Sequence, residues 1–198
     1  MGRIKSAWEI ALEKTADLQV DTKKLEHDKN VKKGSGFAGS YLNNIDFTID
    51  DFSNSFAAAD NKKAVVEGIA KIVVLNSKLP QDDLFEDRIS KLKEISLKVQ
   101  PETENLIAIF DQMIEFFKQY QTHQDQLINQ MKEQFAPSLQ QKEAQLKKEH
   151  GPDYKLNPEE DKEFMKLVND NLKKLDDQYE GALEKVKENI ESELLKNY

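Results

Sequence analysis

Cysteine is absent from the 198-residue chain. Disulfides, thiolate nucleophiles and cysteine-ligated metal are therefore excluded together. Glycine and proline are scarce, at 7 and 5 residues, and they cluster at a few breakpoints, so little of the chain reads as loop. No alternating strand pattern occurs anywhere. The longest apolar patch, residues 69–75, is interrupted by Lys71 and is too short to span a bilayer. Carboxylates enter from Glu9 onward, before any apolar run that a secretory leader would need, so the expectation is a cytoplasmic protein without a signal segment.

What remains is helical and charged. Residues 1–100 carry 16 basic and 16 acidic side chains, whereas residues 101–198 carry 13 against 21. The whole net charge of -8 thus sits on the second half. An acidic rod is repelled by phosphate backbones, which argues against nucleic acid as the main partner and suits a basic protein partner or simply solubility.

That second half holds two long helical stripes. The first, from Pro101 to His150, includes Leu106, Ile109, Phe110, Met113, Phe116, Phe117, Tyr120, Leu127, Ile128, Met131, Phe135, Leu139 and Leu146. The second, from Pro158 to Tyr198, runs through Phe164, Leu167, Val168, Leu172, Leu175, Tyr179, Ala182, Leu183, Val186, Ile190 and Leu194 at near-heptad spacing. Between them, Gly151-Pro152 ends one helix, and Asn157-Pro158-Glu159-Glu160 has the chemistry of a helix start. This predicts a long antiparallel hairpin folding back near Lys155, with Phe135 opposite Leu175 and Tyr120 opposite Ile190. Pro137 predicts a kink in the first arm.

The first half punctuates more often. Ile4, Ala7, Trp8, Ala11, Leu12 and Thr15 share one helix face, with helical character reaching towards Lys33 and a stop expected at Gly34 and Gly36. A short helix is expected over residues 37–43. Thr48-Ile49-Asp50-Asp51 opens another, Asp60 or Asn61 opens a very apolar one to Leu75, and Pro80 fits the first turn of a helix that carries Phe85, Ile89, Leu92, Ile95 and Val99. The expected fold is all-α. A head of short helices, residues 1–100, packs on the base of a long two-helix hairpin, residues 101–198, whose turn is 151–157.

Several segments together resemble an uncharacterised family of bacterial helical proteins. They are Ile4-Lys5-Ser6 with Glu9-Ile10-Ala11-Leu12-Glu13-Lys14-Thr15, Leu79-Pro80-Gln81-Asp82, Gln134-Phe135-Ala136-Pro137 with Gln141-Lys142-Glu143, Leu156-Asn157-Pro158-Glu159, and Gln178-Tyr179-Glu180. The resemblance covers most of the chain and implies a bacterial cytoplasmic protein. It implies no activity, so no functional residue carries over.

No catalytic constellation emerges. Gly34-Ser35-Gly36-Phe37-Ala38-Gly39 matches the dinucleotide fingerprint in letters, but no strand precedes it. Met1-Gly2 through Ser6 matches a myristoylation site in letters only, since the resemblance is bacterial. His27, His123 and His150 are scattered, and the acid groups near Asp50 and Asp82 read as helix starts. No cofactor, metal site or enzyme activity is expected. The favoured function is a non-enzymatic interaction or assembly protein using the acidic hairpin. The alternative is a small-molecule-binding helical domain with a pocket lined by Trp8, Phe37, Phe52 or Phe56. Apolar doublets on the hairpin exceed a two-helix seam, so Phe117, Leu127, Leu167, Val168 and Leu183 are the candidate interaction surface, for an unknown protein or for a second copy in a two-fold dimer.

Overall fold

The computed structural model describes Ser6, residues 22–101 and residues 103–198. The described residues are all-α, without strands: α1 (Thr22–Asn43), α2 (Ile49–Ala57), α3 (Lys62–Asn76), α4 (Phe85–Val99), α5 (Glu104–His150), a 3-10 turn (Pro158–Glu160) and α6 (Lys162–Leu195). The helix expected from Arg3 to Val20, including Trp8, lies outside the described residues.

The stop expected at Gly34 and Gly36 does not occur, because α1 continues through both and absorbs the segment read as a separate short helix. The glycines serve a crossing instead. A Cβ on Gly34 would lie 1.9 Å from the Val65 carbonyl oxygen, and one on Gly68 would lie 2.0 Å from the Val31 carbonyl oxygen. Only hydrogen at these two positions lets the backbones of α1 and α3 approach so closely. The pairs Val31–Gly68 and Gly34–Val65 make the crossing antiparallel. The Ser35 hydroxyl donates to the Gly68 carbonyl at 3.0 Å. The glycine-rich segment is therefore helix interior, not the turn that cradles a pyrophosphate.

Caps set the other starts. Thr48 accepts from the Asp51 amide at 3.2 Å while Asp51 accepts from the Thr48 amide at 2.9 Å, a complete capping box for α2. Asn61 accepts from the Ala64 amide at 3.2 Å and opens α3. Val65, Val66, Ile69, Ala70 and Val73 of α3 are all buried, because α1, α4 and α6 each pack against this helix. Pro80 is not in a first turn. It is buried in the connection, Asp82 accepts from the Leu84 amide at 3.0 Å, and α4 starts only at Phe85. The Asp82 side chain holds a local turn that competes with earlier helix entry.

The two long helices contact each other in antiparallel order, and α5 continues through Pro137 as one helix. At about 1.5 Å per residue, α5 is roughly 70 Å long. Their register differs from the expected one. Phe135 meets Phe164, ring centroids 5.7 Å apart, rather than Leu175. Tyr120 meets Tyr179 at 5.1 Å rather than Ile190. Both partners are displaced by eleven residues (175 less 164, 190 less 179), which is close to three helical turns. Such a shift brings the same faces together again, so the stripes fit both registers. The chain turns directly after His150, where Gly151 has φ 103°. The rest of the connection lies back on the arms: the Leu156 amide donates to Glu143 at 3.2 Å, and Lys142 reaches Asp161 at 2.7 Å. Asn157 caps the 3-10 turn, and Asp161, accepting from the Glu163 and Phe164 amides, caps α6.

Among the described residues two apolar cores result. The larger joins α1 to α4 with Leu106, Phe110, Met113, Phe117 and Tyr120 of α5 and Leu183, Ile190 and Leu194 of α6. The smaller, around Met131, Leu139, Phe164 and Val168, draws among the described residues only on α5, α6 and their connection. The far end of α6 is tied to the far end of α4. Gln100 Nε2 donates to the Leu194 carbonyl at 3.0 Å, Asn197 donates to Gln100 Oε1 at 2.8 Å, and the Tyr198 hydroxyl donates to the Val99 carbonyl at 3.1 Å.

Candidate functional site

The five residues nominated from the sequence do not form one exposed strip. Phe117 and Leu183 are buried in the larger core, Val168 is buried in the smaller one, and Leu127 and Leu167 are half-buried beside Val168. The chain itself supplies much of the extra surface that the doublets called for. Phe116 packs on Tyr179 of α6, centroids 4.8 Å apart, while its neighbour Phe117 packs edge-on against Phe85 of α4 at 5.9 Å. Successive residues point about 100° apart on a helix, so one member of this doublet serves the seam and the other serves the head. Phe52 and Phe56, nominated for an aromatic pocket, are buried core residues, and Phe37 packs half-buried against the same core.

What the chain leaves open is a groove on another face of the α5–α6 pair. Ile109, Met113 and Phe116 of α5 and Val186 of α6 floor a hollow of about 250 Å³, with Gln112 and Asn189 on its rim. Ile109, Phe116 and Val186 are only half-buried. The hollow extends one way towards Asn105, Ser192 and Glu193, and the other way along Asp111, Glu115 and Gln119. The i, i+4, i+7 spacing of Ile109, Met113 and Phe116 was visible in the sequence. Which helix would cover that face was not, because the answer depends on the register.

The groove is lined by acids and amides. Asp111 pairs with Lys93 of α4 at 2.6 Å, and Glu115 lies 3.3 Å from Lys118. Glu86 first, then Glu115, holds the Lys118 ammonium above the ordinary lysine range. Glu193 Oε1 is 3.4 Å from Lys196 Nζ and takes a long 3.5 Å bond from Asn105. Its second oxygen, Oε2, is buried without a hydrogen-bond partner.

At the junction of the two cores stands a polar cluster. The Tyr120 hydroxyl donates to Asp176 and accepts from Gln124, both at 2.7 Å, and the Tyr179 hydroxyl lies 2.6 Å from His123 Nδ1. Burial, reinforced by the Asp176 bond, pushes the Tyr120 hydroxyl well above the usual phenol range. Both hydrogen-bonding roles of Tyr120 are taken within the chain, so the cluster reads as a structural tie between the arms. The other two histidines are apart from it: His27 lies 3.1 Å from Glu67, and the His150 ring packs on Tyr154 at 5.2 Å. Among the described residues no group of three His, Cys, Asp or Glu is placed to hold a metal ion, and no helix is long and apolar enough to cross a membrane.

No curated protein and no solved structure matches the chain. A family model matches residues 54–192, which run from within α2 through α3, α4 and α5 into α6 and take in nearly all of the groove. The chain belongs to that family, a family of unknown function designated DUF6657.

Proposed function

We propose that the protein is a non-enzymatic cytoplasmic interaction or assembly protein that holds a protein partner in the groove between α5 and α6. One observation carries this reading: Ile109, Phe116 and Val186, half-buried, and buried Met113 floor an open hollow between α5 and α6. Half-open apolar side chains in a hollow framed by hydrogen-bonding amides are the usual make-up of a docking site. The doublets that pointed to a two-fold dimer are largely covered within the chain, so the groove replaces them as the basis for a partner.

The test is a photo-cross-linking amino acid placed at Gln112 in the groove and, as a control, at exposed Lys173 on α6. Irradiation in the producing cells should give a discrete protein adduct from position 112 alone. The adduct should disappear when Ile109→Asp is added. Adducts from both positions, or none from position 112 together with a stoichiometric small molecule on the purified chain, would refute the proposal.

A further inference from the structure

We infer that the occupant of the groove is an amphipathic helix with uncharged flanks, carrying amide or hydroxyl side chains beside its apolar ridge; this inference rests on the proposed docking role of the groove. The first argument is charge. The net charge of -8 by itself suits a basic partner. At the groove, however, the carboxylates are answered from within the chain: Asp111 by Lys93 at 2.6 Å, Glu115 by Lys118 at 3.3 Å and Glu193 by Lys196 at 3.4 Å. A cationic occupant has to compete with those lysines, and an anionic one meets carboxylates with no lysine or arginine in the lining. What the lining leaves unpaired is uncharged: Gln112, Gln119, Asn189 and Ser192 have no side-chain partner among the described residues. Neutral polar flanks match these donors and acceptors and bring no ion that has to be desolvated. The second argument is the kind of backbone that fits. Strand addition needs a sheet edge, and the described residues form no strand. A proline-rich segment needs a groove lined with aromatic rings, and the floor holds one, Phe116. Ile109 to Phe116 and Val186 to Asn189 lie inside α5 and α6, where backbone groups bond within the helix, so no free amides capture a chain end there. The furrow between two packed helices does accept the ridge of a third. From Asn105 to Gln119 it follows α5 for about four turns, roughly 21 Å. Four floor residues, three of them half-buried, offer little apolar area against the roughly 800 Å² per partner of a stable interface between globular copies. A single helix therefore fits the groove better than a second copy of the chain.

The experiment uses the full chain and fluorescent synthetic peptides of about four turns, stapled on the outer face to hold them helical. All carry leucine and alanine at i, i+3, i+4 and i+7; the flanks are serine and glutamine in one, lysine in the second and glutamate in the third. Fluorescence anisotropy should show saturable one-to-one binding of the neutral peptide, changing by less than about twofold between about 50 mM and about 500 mM salt. At the higher salt neither charged twin should bind more tightly than the neutral one. An unstapled neutral peptide with a central proline should bind about tenfold more weakly or worse, since it cannot continue as a helix. Gln112→Ala should weaken the neutral peptide by about three- to tenfold, the loss of one hydrogen bond. Ile109→Asp should abolish binding, and if that variant fails to fold, Val186→Asn at a half-buried site supplies the same comparison. A tighter charged twin at high salt, a neutral peptide released by salt, equal binding of the proline peptide, no saturable binding, or unchanged affinity in the groove variants overturns the inference. So does light scattering that shows a dimer dissociated by the peptide, which would assign the groove to a second copy. A groove-specific protein adduct in cells without neutral-peptide binding leaves the docking role standing and removes only the uncharged helical occupant. Neutral-peptide binding without any cellular adduct does the reverse.

Discussion

Gly34 of α1 and Gly68 of α3 face each other's helices across one antiparallel crossing, each so close that a methyl group would overlap a backbone carbonyl of the other. This contact fixes α1 on the helix that also receives α4 and α6. Gly34→Ala or Gly68→Ala should therefore destabilise the fold by about 3 kcal/mol or more, the upper range for overpacking, because the obstacle is backbone and cannot rotate away. Gly36 and Gly39 sit in the same helix, and nothing lies within 4 Å of where a methyl group would stand on either. Alanine there should stabilise by about 0.5–1 kcal/mol through helix propensity. Urea midpoints of the four variants check the contrast, and similar values at all four positions would dismiss the crossing.

The two cores should come apart separately. Phe117→Ala in the larger core and Phe164→Ala in the smaller should each cost about 3–5 kcal/mol locally. Only Phe117→Ala should lower the amide protection of α3 and α4. Phe164→Ala should speed exchange in residues 127–172 and leave the head protected, because among the described residues the smaller cluster draws on no head helix. Hydrogen exchange with mass spectrometry distinguishes this from a single cooperative unit.

Pro137 is exposed within α5. Its ring removes one backbone hydrogen bond and crowds the preceding turn, and an exposed ring offsets little of that by packing. Pro137→Ala should raise stability by roughly 1–3 kcal/mol, as the helix propensity difference implies. A fall in the thermal midpoint would mean that the proline helps to seat Phe135 against Phe164.

The bridge at the turn of the hairpin should set an acid limit. Lys142, then the Phe164 amide, holds the Asp161 carboxyl below the ordinary aspartate range, and Asp161, then Glu163, holds the Lys142 ammonium above the ordinary lysine range. A depressed carboxyl contributes stability in full above its unfolded pKa and loses it as pH falls through the folded value. A raised ammonium contributes below its unfolded pKa and loses it as pH rises through the folded value. The bridge should thus contribute between about pH 4 and pH 10. Asp161→Asn keeps a capping acceptor and removes the charge. Its Tm deficit relative to the parent chain should be constant near neutrality and should vanish in acid, and a deficit independent of pH would make the cap, not the bridge, responsible.

Much of this architecture was legible where local chemistry decides. Thr48, Asn61 and Gly151 mark element ends through side-chain caps or a backbone angle, and each did so in the structure. Gly34 misled because glycine permits both a helix stop and a close helix crossing, and only the partner helix distinguishes them. The hairpin register misled because a slide of eleven residues nearly restores the facing angle, leaving periodicity blind to it. The groove then stayed hidden, since its floor is a part of the α5 stripe that the head and the second arm cover only in part. Phe117 was nominated for a partner for the same reason: its cover, Phe85, belongs to a helix distant in sequence.

The groove exists only in the register that sets Gln112 across from Asn189. Because the chain has no cysteine, paired spin labels test that register without background, with Asn189→Cys combined first with Gln112→Cys and then with Gln126→Cys. Gln126 lies about 20 Å further along α5. The label pair at 112 and 189 should give the shorter distance by a wide margin. A pair at 126 and 189 that is equally short or shorter is what the register shifted by three turns requires, and it would remove the groove together with the function proposed for it.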